Sequence, residues 1–409
     1  MRLPDLGVRL RRLPAFPLVR ADAEMRLARG SQERVAIRTM SVAFSEREAV
    51  LSSLGELWER YAADRIPERH LLTATAAELG DRALRPSSLP LFSDEQYAQP
   101  GFAFVPFREE TRLRWAPGSR IADNRRVYVP TQLVHAPAFV DFDDAPIAYA
   151  TTSGMACGRT RDDAVLAGLL ELIERDALVI AWYNEIPLPR VAPEILDDDV
   201  KSLCAADDER YRVLDASVFS NVPVAIAIRR ASPEMPGVTV GAAAAPTLAL
   251  AAHKAVREAL ATAYFVGECW ARPVVVMRDE IATFSEHAAY HAFRPSPGSI
   301  SCLEGDGVSS GPSPICEGAE GMETGALLRA LCERIAVPND EIYVVDTTPP
   351  ELGNMTCVSV VVPQLCRIDV GTRQRYLGNR RIFERSIELG LRSDAARAAT
   401  INREPHPLA

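Results

Sequence analysis

Ser153-Gly-Met-Ala-Cys-Gly-Arg-Thr160-Arg-Asp-Asp163-Ala-Val-Leu-Ala-Gly-Leu-Leu-Glu171-Leu-Ile-Glu174-Arg175-Asp-Ala177 is the stretch on which the reading of this 409-residue chain turns. A glycine-bearing turn leads into a helix, with Thr160 as N-cap and Asp163 at the third helical position. From Ala164 to Tyr183 the helix is apolar almost all round: Val165, Leu166, Leu169, Leu170, Leu172, Ile173, Leu178, Val179 and Ile180 leave no solvent face. Such a helix is buried. Yet Asp163, Glu171 and Glu174 fall within about 80° of one another on its wheel. Carboxylates in a low dielectric are costly without a strong positive partner. Arg175 satisfies one of the three, whereas a hard divalent cation such as magnesium takes several carboxylate oxygens and still bridges nucleotide phosphates.

The same spacing, Glu-x-x-Glu-Arg, occurs earlier as Glu56-Leu-Trp-Glu59-Arg60. It sits in a second helix signal opened by a Ser45/Glu48 capping box, with Val50, Leu54, Leu57, Trp58 and Tyr61 at helical spacing. Ser52, Glu56 and Glu59 take the opposite side. Alone, that face reads as a solvated one with a Glu56–Arg60 pair worth about 0.3–0.5 kcal/mol. If the two helices face each other, four glutamates surround a cavity suited to magnesium, with arginines at its edge for phosphate.

The rest of the chain narrows the class. A net charge of −9 argues against a broad phosphate-binding surface, so nucleic acid is not an expected partner. No stretch approaches the roughly 18 uninterrupted apolar residues of a membrane span, and the arginine-studded start lacks a signal-peptide core. A cytoplasmic protein is expected. Eight cysteines are scattered without a CxxC, which reads as reduced core and loop thiols. His287 and His291 stand at i,i+4 but bracket no HExxH, so a satisfied-core or surface role outweighs metal binding. Residues 1–38 read as an opening segment of the same domain, with short strand character near Val35 and Ile37, and 39–409 as the main domain. Strands are expected at 126–130, 222–228, 237–242, 341–345 and 358–362. Helices are expected at 248–265 and 327–335, and a helical stretch toward the C-terminus. The Gly/Ser/Pro-rich segment 295–321 reads as a long mobile or functional loop. The pattern is α+β.

The two acidic motifs resemble those of the YcaO family. Ser52-x-x-x-Glu56-x-x-Glu59-Arg60 is similar to its first nucleotide and metal motif, and residues 153–177 to its second. The resemblance extends through Tyr128-Val-Pro-Thr-Gln-Leu-Val134, Val345-Asp346-Thr347-Thr348 and Arg375-Tyr-Leu-Gly-Asn-Arg-Arg381. It implies the YcaO fold, with mixed sheets and helices around a glutamate-lined Mg-ATP site instead of a P-loop, and no GxxxxGK[ST] is present. It implies Glu56, Glu59, Asp163, Glu171 and Glu174 as metal ligands. Ser52, Arg60 and Arg175 are implied nucleotide neighbours, with Arg257, Glu258, Arg380 and Arg381 as weaker candidates. Two departures are plain: Arg38-Thr-Met-Ser-Val-Ala-Phe44 replaces a Gly-Lys-Gly-like approach, and Ser153 replaces an Asn. The ending Arg403-Glu-Pro-His406-Pro-Leu-Ala409 resembles the proline-rich tail of azoline-forming members without its last proline, which implies proton-moving roles for His406 or the Ala409 carboxylate.

The implied activity is ATP-dependent formation of thiazoline or oxazoline from Cys, Ser or Thr in a ribosomally made precursor peptide. Implied partners are a separate leader-binding protein, a dehydrogenase, and further subunits in a homodimer or hetero-complex. Thioamide or macroamidine formation uses the same activation chemistry. A non-catalytic scaffold subunit has little reason to keep four glutamates. A serine hydrolase at Gly307-Val-Ser309-Ser-Gly311 lacks a preceding strand, and Pro312 and Pro314 stand where an elbow needs its helix.

Overall fold

The computed structural model describes the chain apart from residues 1–4, 14–17, 30–32, 66–69, 137–143, 208, 233–234, 236, 271, 295–299, 317, 336, 394–399 and 409. Its contacts divide it into two units. Residues 1–89, 99–169 and 337–363 form one, and 90–98, 170–336 and 364–409 the other.

The first unit opens with an antiparallel meander of three strands, Asp5–Arg12, Val19–Arg29 and Glu33–Ala43. The expected short strand near Val35 and Ile37 is thus one part of a much longer structure. Ala21, Ala23 and Met25 alternate with Asp22 and Glu24, and only the first set is buried. Small alanines carry little hydrophobic signal, but they let a helix close on the sheet. That helix, α1 (Glu46–Asp64), begins at Ser45, whose hydroxyl accepts from the Glu48 N–H at 3.2 Å. Its Ala49, Leu57 and Tyr61 cover the alanines and Met25. Thr39 ties the last strand to the helix by donating to the Ser53 carbonyl at 2.7 Å.

The unit's second sheet has strands in the order Leu72–Ala74, Leu113–Arg120, Tyr343–Asp346, Thr356–Val361, Met155–Gly158, with Arg126–Pro130 also paired to Leu113–Arg120. Every pairing is antiparallel. The strands expected at 126–130, 341–345 and 358–362 are here, shifted by up to two residues.

Helix α2 (Arg161–Asn184) follows Thr160, and the chain passes from one unit to the other within it. Thr160 and Asp163 bond reciprocally: the Asp163 N–H reaches the Thr160 hydroxyl at 3.1 Å, and the Thr160 N–H reaches the Asp163 carboxylate at 3.0 Å. Val165, Leu169, Ile173, Leu178 and Ile180 are fully buried, as the all-round apolar pattern requires.

In the second unit five strands run in the order Thr239–Ala244, Val224–Arg229, Tyr211–Asp215, Leu188–Val191, Glu304–Ser309. Only the last pair is parallel. Glu304–Ser309 lies inside the segment read as a loop, so that reading is corrected. Gly305 and Gly307 leave the strand without an apolar alternation, yet a Cβ on Gly305 would stand 3.1 Å from the Leu188 carbonyl, a closeness glycine permits. The strand also removes the objection that none precedes Ser309. Ser309 donates instead to Asp215 at 2.6 Å and accepts from the Gly311 N–H at 2.9 Å, bonds that fix a turn. Residues 295–299 of the same segment lie outside the described residues.

Helix α3 (Leu248–Cys269), four residues longer than expected, packs on the two strands Val224–Arg229 and Thr239–Ala244. Thr247 caps it by accepting from the Leu250 N–H. Helix α4 (Phe284–Ala292) carries His287 and His291, and both are buried. Further helices cover Thr324–Arg334 and Arg381–Glu388. Among the described residues no helix is long and apolar enough to cross a membrane.

Gly241 sets how closely α3 approaches its sheet. A Cβ there would lie 2.2 Å from the Ala255 carbonyl and 2.4 Å from the Ala259 nitrogen, both backbone atoms that cannot step aside. Gly241→Ala is expected to cost about 3 kcal/mol through overpacking. Urea unfolding should show a lower midpoint at unchanged slope; an unaltered midpoint would show that α3 yields freely.

Candidate active site

The carboxylates singled out in the sequence fall in both units, and each group has its own surroundings. In the first unit, Glu59 on α1 accepts the Cys157 N–H at 3.1 Å, so an adjacent strand aims the carboxylate. Glu56 pairs with Arg60 one turn on, and Arg60 also reaches the Arg38 carbonyl at 3.5 Å. Asp163 spends a carboxylate oxygen on capping α2. Beside Glu59 is a feature missed in the sequence: Cys157 and Cys357 are directly opposed on neighbouring strands and their thiols hydrogen-bond. That bond pushes Cys157 below the usual thiol range and Cys357 above it. Register joins the two, and no spacing in the sequence announces it.

The second unit holds the stronger cluster. Glu171 pairs with Arg175 at 2.6 Å across one turn of α2. Glu174 keeps some accessible surface, yet protein surrounds its carboxyl closely enough that lost hydration is the main force on it. Its charged neighbours are Glu258, Arg175, Glu171 and Lys254. Desolvation first, then repulsion from Glu258, push Glu174 well above its ordinary value of 4.5, and the nearby Arg175 and Lys254 do not cancel this. Glu258 is fixed from the other side, since it accepts the Ala242 N–H at 2.8 Å, one residue from the close approach at Gly241. Read in the sequence as a weaker nucleotide candidate, Glu258 lies near enough in the fold for its charge to repel that of Glu174. Arg257, beside it on α3, is half-buried.

The remaining candidates have structural partners. Arg381 forms a two-pronged pair with the fully buried Asp176, both bonds at 2.8 Å, and Asp176 also accepts the Cys366 N–H at 2.9 Å. Arg380 is exposed and pairs with Glu384. Ser52 is half-buried on α1. His406 is buried, with Nε2 at 2.7 Å from the Asp369 carbonyl and its ring stacked on His287 at 3.8 Å. Ala409 lies outside the described residues.

Glu171, Glu174 and Glu258 carry carboxylate oxygens, hard donors that suit magnesium better than a soft transition metal. Among the described residues, the groups whose ligand atoms stand within 4.8 Å of one another are instead His287, Asp369 and His406, and Asp197, Asp199 and His253. The model of the YcaO cyclodehydratases, described as ATP- and Mg2+-binding, matches residues 41–366. The chain belongs to the YcaO family.

Solved structures with this fold include a heterocyclase in complex with substrate and cofactor, at TM-score 0.77 and 19% identity, covering 98% of this chain and 55% of that one. The YcaO protein of Methanopyrus kandleri bound with AMPPCP and Mg2+ matches at TM-score 0.58 and 19% identity over 88% of this chain and 85% of that one. The E. coli microcin synthetase McbBCD complex matches at TM-score 0.59 and 12% identity over 91% and 93%. An uncharacterized protein of Methanothermobacter thermautotrophicus is 28% identical over 190 residues, 46% of this chain and 44% of its own length. The chain therefore spans less than half of that curated relative and about half of the heterocyclase.

The raised Glu174 gives a pH signature. The folded chain binds this proton more tightly than the unfolded chain, so the associated stability is complete below pH 4.5 and is lost as pH rises through the higher folded value. Without divalent cation, thermal stability should fall as pH climbs from 4.5 toward neutrality, and Glu174→Gln should flatten that slope. Melting curves across this range check it; an identical slope in the Gln variant would contradict the assignment.

Proposed function

We propose that this YcaO protein activates backbone amides of a ribosomally made peptide with ATP, forming thiazoline or oxazoline at Cys, Ser or Thr. The observation that carries the reading is the match of residues 41–366 to the ATP- and Mg2+-binding YcaO cyclodehydratases, and the raised Glu174, repelled by Glu258 and Glu171, is a charge arrangement that a magnesium ion would relieve. The motif resemblance adds Glu56, Glu59 and Asp163 as magnesium ligands. Ser52, Arg60 and Arg175 are proposed nucleotide neighbours, with Arg257 a weaker one. Arg380 and Arg381 are weaker still, given their pairing with Glu384 and Asp176.

In the proposed reaction the peptide's thiol or hydroxyl gives up its proton to solvent and attacks the preceding carbonyl carbon, forming the C–S or C–O bond. The resulting oxyanion takes the γ-phosphoryl group of ATP, releasing ADP. Loss of that oxygen as phosphate, with departure of the amide proton, leaves the C=N bond of the ring. The net change in the peptide is one water. Amide oxygen leaves poorly and phosphate leaves well, which is why ATP is consumed. Bound magnesium would neutralise charge on the transferring phosphoryl group. The chain's carboxylates orient that charge, and Arg175 is placed beside Glu171 for phosphate oxygens. Proton departure is assigned to the tail, through the Ala409 carboxylate or His406.

The proline-bearing tail favours azolines over thioamide or amidine products, which need an external sulfide or amine. Heterocyclase and microcin synthetase likenesses support a peptide substrate and companion proteins. The companions proposed are a leader-binding protein and a dehydrogenase, within a homodimer or hetero-complex.

Incubating the chain with ATP, magnesium and a Cys/Ser/Thr-rich precursor encoded nearby should produce an ATP-dependent mass loss of one water. Glu174→Gln and Glu59→Gln should each lower the rate by a factor on the order of 100 or more, the scale of losing an electrostatic anchor. Deleting residues 405–409 should abolish ring formation while largely sparing nucleotide binding in a titration. Unchanged turnover in the Gln variants would defeat the carboxylate assignment, and unchanged turnover in the truncation would defeat the tail's role.

A further inference from the structure

Residues 402–406 are held mainly through their main-chain carbonyls. Five consecutive carbonyls each meet a side-chain nitrogen. Arg375 donates to Asn402 at 2.6 Å, to Arg403 at 2.7 Å and to Glu404 at 2.9 Å. The indole N–H of Trp182 also reaches the Glu404 carbonyl, at 3.1 Å. His291 Nε2 stands 2.8 Å from the Pro405 carbonyl, and His287 Nδ1 stands 3.0 Å from that of His406. Donors supplied by side chains suit a segment in which Pro405 and Pro407 have no N–H to offer a strand or helix.

Two of the segment's side chains have polar or ring partners outside it. The Glu404 carboxylate accepts from the Tyr290 hydroxyl at 2.6 Å and from Arg294 at 2.7 Å. The His406 ring stacks on His287, 9° from parallel. Pro405, Pro407 and Leu408 are buried.

The surroundings are those of a filled groove. His291 Nδ1, Arg375 Nε, Asp369 Oδ2, Asn402 Nδ2 and His406 Nδ1 are all buried and make no hydrogen bond in the structure. Core polar atoms are seldom left so, whereas the wall of a cleft holding an exchangeable chain tolerates it. His287, Asp369 and His406 also lie close enough to share a metal ion. Geometry opposes that: the two rings are stacked, so their lone pairs lie in parallel planes, and both nitrogens of His287 already face carbonyls, with Nε2 3.0 Å from Val370.

We propose that α4, Arg375 and Trp182 form a peptide-binding cleft that reads main-chain carbonyls of a proline-interrupted segment with one acidic side chain. The chain's own residues 402–408 fill it in cis, and a peptide of the same class competes for it in trans. This rests on hydrogen bonds within one unit; the segment also carries His406, to which the proposed proton step is assigned, so the test reads binding and not turnover.

The test uses the full chain with a protease site inserted within 394–399 and cut after folding. The cut protein should keep its thermal transition. A fluorescein-labelled Asn-Arg-Glu-Pro-His-Pro-Leu peptide should then exchange into it, giving a saturable rise in polarisation that unlabelled peptide reverses. Arg375→Ala should weaken binding roughly 100-fold, and the peptide carrying Glu404→Gln roughly 10-fold, as expected for lost charge-assisted bonds. The second arm alters only the peptide, so it cannot unfold the protein. Loss of the thermal transition on cutting would show the segment to be core, and failure to exchange, or equal affinity in both arms, would likewise overturn the proposal.

Discussion

Glu174, a carboxyl drawn out of water within the field of a second carboxylate, Glu258, is the constraint on which the acidic site of the second unit depends. Glu174 arrives on α2 directly after the buried Leu172 and Ile173. Glu258 arrives on α3, and the Ala242 N–H fixes its carboxylate. Gly241 lets α3 come that close. Arg175 and Lys254 reduce the repulsion without removing it, so Glu174 retains its proton more strongly than an exposed carboxyl. Carboxyls shifted in this way concentrate at functional sites.

The first unit prepares its acidic side chains differently. Glu59 is aimed by a backbone N–H from an adjacent strand and Glu56 is held by Arg60. Asp163 supports the start of α2. Backbone N–H groups orient Glu59 and Asp163, and a guanidinium one turn on orients Glu56.

Much of this was legible in the residues. The all-round apolar run after Thr160 announced a buried helix, and its acidic positions announced a need for positive charge. Ser45 and Thr160 marked both helix starts. The opening meander was obscured because alanines, glutamates and arginines carry its alternation, and Glu304–Ser309 was obscured because glycines replace the apolar face. Glu258 gave only a weak signal, since its meaning depends on which strand lies beneath α3. The carbonyl clamp on residues 402–406 was invisible for a similar reason: His287, His291, Arg375 and Trp182 come from three separate stretches and share no spacing.

Manganese placed on the protein with a non-hydrolysable ATP analogue, and located by anomalous diffraction, tests the central claim most directly. An ion about 2.1 Å from carboxylate oxygens of Glu174 and Glu258, in the range of hard-cation bonds, is the result expected. Nucleotide-bound manganese held by other residues, with neither of these carboxylates among its ligands, would contradict it.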